Sequence, residues 1–136
     1  CKRYDELSMP LYEALLAPTR IYAKPVLALC EAGLVKGASH ITGGGFYENI
    51  PRSLPDGLMA KIDRSALVTP PIFPLIQRIG GIPERDMFNT FNMGVGMSVV
   101  TAGEDDDRAV QILRGAGVDA YLCGEIARGE DGVRVC

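Results

Sequence analysis

Ser39-His40-Ile41-Thr42-Gly43-Gly44-Gly45-Phe46-Tyr47-Glu48-Asn49 gathers the chain's one histidine, three consecutive glycines, a carboxylate and an amide in one short stretch. Glycine tolerates φ > 0 and lets a ligand come close to the main chain. A helix beginning behind such a loop turns free N–H groups and its positive dipole end towards it, an arrangement suited to phosphate. The alternative is a tight strand-to-helix turn, and Thr42 is able to cap the helix in either case. No Gly-Lys-Ser/Thr follows, so the loop is not a Walker A sequence, and the spacing is not GxGxxG. His40 has the chemistry to donate to a phosphate or to act as an acid near neutral pH, or else it packs. Glu48 and Asn49, one turn into the helix, read as ligand contacts or as surface polarity.

A second constellation is Phe88-Asn89-Thr90-Phe91-Asn92-Met93-Gly94-Val95-Gly96-Met97. The amide of Asn92 can read a carbonyl–amine pair on a substrate; an Asx turn explains it equally. Met93, Val95, Met97 and Val99 predict one face of a strand. Gly94, Gly96 and Ser98 form a small-residue face open to close approach by a helix or ligand. The run Glu104–Asp107 places carboxylates at a helix N-terminus. Its side chains point in different directions and do not read as a metal site. Cys1, Cys30, Cys123 and Cys136 match neither a zinc pattern nor CxxC. Free thiols in a reducing compartment, the cytoplasm, are expected, with a Cys1–Cys136 disulfide as the alternative. A single histidine excludes a multi-histidine metal centre.

These residues need elements to hold them. Residues 1–18 read as a connecting arm punctuated by Pro10 and Pro18, and residues 19–136 as one α/β domain. Tyr22, Val26, Leu29 and Cys30 mark a helix from about 19 or 23 to 32, with Pro25 in its first turn and Gly33 as its stop. A strand over 35–41 feeds the glycines, and a short helix follows over 46–54. Pro55-Asp56-Gly57 turns into a strand from Leu58. Pro70-Pro71 opens a helix that Gly80-Gly81 ends, and a short helix spans 83–88. A helix follows the acidic run, a strand covers 120–126, and Val133 and Val135 begin a final antiparallel partner. Alternating helices and strands predict an α/β fold of α+β type, a mixed β-sheet covered by helices.

The 136 residues are enough for one domain with a real core. Apolar residues make up 47%, which excludes a disordered chain, and the net charge of −3 argues against a general nucleic-acid binder. No apolar run approaches the ~20 residues of a membrane span. No apolar leader follows the charged start, and a chain that begins at Cys1 is expected to be part of something longer.

Read together, the segments from Leu15 to Lys24, His40 to Phe46, Glu48 to Arg52, Leu54-Pro55, Pro71-Ile72-Phe73 and Thr90 to Met97 resemble the C-terminal domain of aminoimidazole ribonucleotide synthetase, the phosphoribosylformylglycinamidine cyclo-ligases. The resemblance covers about Leu15 to Val135. It departs at Leu67-Val68-Thr69, where many relatives carry tryptophan, a difference read as packing variation. The resemblance implies ATP-dependent ring closure of formylglycinamidine ribonucleotide to aminoimidazole ribonucleotide in purine biosynthesis. It implies ATP and Mg2+ held mainly by a missing N-terminal domain, which is also the partner of this one, and a homodimer when full length. It places the substrate phosphate near Thr42, Gly43, Gly44 and Gly45, and His40 at the substrate or the transferring phosphoryl group. Asn92, Gly94, Glu48 and Asn49 line the same cleft, and Arg20 pairs with a phosphate or carboxylate, or forms a surface salt bridge. No nucleic acid, membrane or metal ligand in this half is implied. The alternatives are a sister domain of formylglycinamidine ribonucleotide synthetase, selenophosphate synthetase or thiamine-monophosphate kinase type, and a non-catalytic docking domain. An apolar surface is expected where the missing half packs.

Overall fold

A computed structural model describes residues 3–136. Cys1 lies outside them, and with it the proposed Cys1–Cys136 pairing. The arm contains one helical turn, α1 (Leu11–Leu15), and Glu6 in the arm forms an ion pair with Arg78. Helix α2 (Ala23–Glu31) has Pro25 in its first turn and ends at Gly33, whose φ of 72° supplies the left-handed stop. Leu29 on α2 is fully buried and Cys30 remains exposed. Strand β1 (Gly37–His40) delivers His40 to the glycines, and α3 (Gly45–Asn49) continues through a 3-10 turn over Ile50–Ser53. Next come β2 (Leu58–Ile62), α4 (Ile72–Gly80), α5 (Glu84–Thr90), β3 (Met97–Val100), α6 (Asp106–Gly115), β4 (Gly124–Arg128) and β5 (Val133–Val135).

The pairing is mixed and divided between two sheets. β1 runs antiparallel to β3, with His40 opposite Met97. β2 is central in the other sheet, antiparallel to β4 and parallel to β5. The expected antiparallel pairing of the last strand is therefore corrected. The 129–132 segment passes the start of β2, where Gly129 N–H donates to Gly57 O at 3.0 Å and Ala60 N–H to Gly132 O at 2.9 Å. That crossing delivers β5 to the opposite edge. A second correction concerns 93–95, which form a turn and not a strand: Met93 has φ 50° and Gly94 φ 98°. The apolar alternation there reflects burial of Met93 from a turn.

The larger core unites Ile41, Phe46, Ile50, Ala60, Ile62, Leu67, Met87, Phe88, Met93 and Val133. Leu67, at the departure from the family pattern, is one of its members. Each fully buried large apolar side chain contributes about 1.5–3 kcal/mol. Phe46 of α3 meets Phe88 of α5 edge-on, ring centroids 5.1 Å apart. A smaller core of Leu29, Leu34 and Ala109 joins α2 to α6. Several large apolar side chains stay outside both cores, among them Leu16, 76% exposed, and Ile21, 85% exposed. No helix of the described residues is long and apolar enough to cross a membrane.

Candidate functional site

The three glycines have three different reasons to be glycine. Gly45 has φ 55°, and the Phe88 carbonyl stands where its Cβ would be, so α3 can pack this closely on α5 only without a side chain. Gly44 has φ 90° and carries the Glu48 carboxylate against its backbone. Gly43 lies outside the left-handed region, and nothing comes within 4 Å of its Cβ position. The fold thus requires glycine at 44 and 45 and leaves position 43 unexplained.

Asn49 holds this loop from below. It is 5% exposed, and its Nδ2 donates to the carbonyls of Gly45 at 2.7 Å, Gly43 at 3.2 Å and Thr42 at 3.4 Å. In a planar trans peptide the C=O and the following N–H point in opposite directions. Clasping the Thr42 and Gly43 carbonyls therefore turns the Gly43 and Gly44 N–H groups outward, and neither donates to an acceptor among the described residues. Thr42 does not cap α3. The cap position belongs to Gly44 and carries no side-chain bond, because Thr42 takes part through its carbonyl, which accepts from Gly45 N–H at 3.0 Å.

A cleft of about 260 Å3 is lined by Ala38, Ser39, His40, Asn49, Arg52 and Ser53, and Thr42, the three glycines and Glu48 are not among its lining residues. His40 and Asn49 thus meet in one place. His40 is exposed, and its ring stands edge-on to Tyr22 with centroids 5.9 Å apart. Arg52 is a cleft residue that the site assignment from sequence omits. The signal was present: Arg52 lies four residues after Glu48 and three after Asn49, so a continued helix sets all three on one side. Its guanidinium is 3.9 Å from the Glu48 carboxylate, with both side chains more than half exposed, a weak pair. His40 and Arg52 are among the residues that line the cleft and no Asp or Glu is, so an anion is the ligand class it favours.

The remaining assignments are occupied differently. Asn92 Oδ1 accepts from Gly94 N–H at 3.0 Å, an Asx turn that leads towards β3. Gly94 packs against Pro70, and Gly96, opposite Ile41, receives the Tyr22 phenol. Arg20 pairs with exposed Asp119 at 3.3 Å, a surface salt bridge. Among the described residues no three His, Cys, Asp or Glu side chains converge to hold a metal. In the acidic run, Asp106 accepts from Thr101 Oγ1 at 2.7 Å at the start of α6.

Comparison with known proteins follows the same outline. The family model for "AIR synthase related protein, C-terminal domain" matches residues 2–136. A protein of Caldicellulosiruptor bescii is 52% identical over 132 residues, which is 97% of this chain and 39% of the relative. Relatives from Bacillus velezensis and Bacillus subtilis are 50% and 48% identical over 127 residues, 93% of this chain and 37% of each. All three carry the name phosphoribosylformylglycinamidine cyclo-ligase. The chain spans about two-fifths of the length of these relatives.

Proposed function

The chain belongs to the AIR synthase related protein, C-terminal domain family, and on that premise we propose that it forms the C-terminal half of an ATP-dependent phosphoribosylformylglycinamidine cyclo-ligase and supplies the wall that receives the substrate. The observation that carries this reading is Gly43. It is a glycine the fold does not need, its N–H meets no acceptor among the described residues, and its carbonyl is tied through the Asn49 amide to the cleft that His40 and Arg52 also line. A backbone left bare without a packing reason is one that a ligand can approach closely.

The substrate, formylglycinamidine ribonucleotide, carries a phosphate monoester, a formamide and an amidine. The Gly43 and Gly44 N–H groups and the Arg52 guanidinium hold the phosphate, with Thr42 and Gly45 fixing the loop's two ends. Glu48, exposed and weakly paired, turns off Gly44 as the anion enters and faces the amidine. His40 donates to the substrate or to the phosphoryl group in transfer. Asn49 acts by keeping the loop carbonyls turned inward. Asn92 and Gly94 border the site through their turn, and Arg20 exchanges Asp119 for a ligand anion at its margin. The amide carbon of a formamide is a poor electrophile. ATP, when bound, supplies the phosphoryl group that makes the formamide oxygen a leaving group. The amidine nitrogen then closes on that carbon and phosphate departs, leaving aminoimidazole ribonucleotide and ADP. This chain contributes positioning and charge stabilisation.

Among the described residues no three His, Cys, Asp or Glu side chains group to hold a metal. In this reading ATP and Mg2+ are held mainly by the N-terminal part of the enzyme. Exposed Leu15, Leu16, Ile21 and Leu27 support a contact with that part or with a second copy, consistent with a homodimer. Free Cys30 and Cys123 suit a reducing compartment such as the cytoplasm.

Steady-state formation of aminoimidazole ribonucleotide by the full-length enzyme tests the reading. Removing a positioned acid or phosphate donor lowers kcat/KM by roughly a hundredfold or more, so His40→Ala and Arg52→Ala should each do so. Unchanged turnover in His40→Ala removes His40 from the chemistry.

A further inference from the structure

The proposed reading uses an exposed histidine, and an exposed imidazole on a strand end samples several rotamers unless something restrains it. Three observations point to the restraint. Tyr22, half-buried at the cap position of α2, stands edge-on to His40 with centroids 5.9 Å apart and planes at 62°. The Tyr22 phenol lies on the backbone of Gly96, in the space that any side chain at 96 would fill. The Gly96 carbonyl accepts from Ile41 N–H at 2.9 Å, which ties that surface to the residue following His40. Tyr22, Gly96 and His40 thus form one stack across the end of the β1–β3 pair. A tyrosine whose only duty was to fill the core would be buried, and would not rest on a bare backbone beside an exposed ring.

We propose that Tyr22 is a positioning residue that fixes the orientation of the His40 imidazole, and that Gly96 is glycine to admit it. Nothing in the family match or in the relatives' names assigns this. The inference rests on the reading of His40 as a substrate-facing group. It predicts that the ring of Tyr22 matters and that its hydroxyl, for which no hydrogen bond is seen among the described residues, does not.

The test uses the fact that the chain has one histidine, so its imidazole gives one set of proton–carbon NMR signals. These are recorded for the wild-type chain, Tyr22→Phe, Tyr22→Leu and Gly96→Ala, each titrated with ribose 5-phosphate as a stand-in for the phosphate end of the substrate. In wild type and Tyr22→Phe the imidazole signals should coincide, displaced from those of free histidine by the neighbouring ring. Tyr22→Leu should move them towards free histidine and weaken ribose 5-phosphate about three- to tenfold, the scale of one lost aromatic contact. The backbone amides of Leu29 and Phe46 should stay in place. Gly96→Ala, which displaces the phenol without removing it, should move the imidazole the same way. Imidazole signals unmoved in Tyr22→Leu overturn the proposal, as does a shift accompanied by movement of both core amides. If wild type fails to bind ribose 5-phosphate while Tyr22→Leu still frees the imidazole, the positioning stands and the functional reading above fails.

Discussion

Substituting alanine at each glycine of the loop separates what the fold needs from what a ligand needs. At Gly45 alanine must adopt φ 55°, which costs about 1–2 kcal/mol for a residue with a Cβ. The methyl also meets the Phe88 carbonyl, a backbone group that cannot swing aside, and overpacking of this kind adds about 1–3 kcal/mol. The sum, about 2–5 kcal/mol, is a large part of the stability of a small domain. At Gly43 no strained φ and no contact within 4 Å oppose the methyl. There alanine should be neutral or stabilising by up to about 1 kcal/mol, through the unfolded chain. Urea denaturation at 25 °C reads both values, and with a slope of about 2 kcal/mol/M the Gly45→Ala midpoint falls by about 1–2.5 M. Ribose 5-phosphate affinity should reverse the order of damage, with folded Gly43→Ala binding at least about tenfold more weakly because a methyl occupies the approach to an outward N–H. A Gly43→Ala chain that is stable and binds like wild type refutes the argument that position 43 is bare for a ligand.

Three further outcomes follow from the same contacts. Asn49→Ala removes a buried amide whose two N–H donors are shared among three carbonyls and should cost about 1–2 kcal/mol, at roughly 1 kcal/mol per hydrogen bond; a loss below about 0.5 kcal/mol in urea would show that the loop holds itself. The Asp63 carboxyl lies below its usual range because the Ser65 hydroxyl and then the Ser65 N–H donate to it; a depressed folded value gives stability that is present above the ordinary aspartate range and lost as pH falls through the folded value. Thermal melts of Asp63→Asn should accordingly show a shallower acid decline than wild type, and identical slopes would discard the assignment. Burial pushes the Cys123 thiol up while Cys30 is exposed, so iodoacetamide at neutral pH should label Cys30 well before Cys123, and mass spectrometry that finds the reverse order contradicts this packing.

Local punctuation was legible in the sequence because its physics is local. Gly33 and Gly81 end α2 and α4 with φ 72° and 61°, as a residue without Cβ can, and the helix after the acidic run lies where its apolar spacing put it. The 93–95 stretch misled because alternating apolar residues look the same on a strand and on a turn that buries Met93. Only the Asx bond of Asn92 separates the two. The parallel β5 was not readable, since its direction depends on where the 129–132 crossing leaves the chain and not on the residues of the strand. Of the residues that line the cleft, His40 and Asn49 were singled out from type and spacing. Arg52 was missed although its spacing from Glu48 and Asn49 puts it on their side of a continued helix. Tyr22 was missed because its spacing matched the buried face of α2, although its ring belongs to His40.

The central claim is that this chain supplies the substrate-receiving wall of a cyclo-ligase. It is tested most directly by titrating the chain with formylglycinamidine ribonucleotide and following its backbone amides by NMR. Saturable shifts at Gly43, Gly44 and His40 are the predicted result. A folded spectrum in which these amides do not move at millimolar ligand would contradict the account and leave the glycine loop as a turn between β1 and α3.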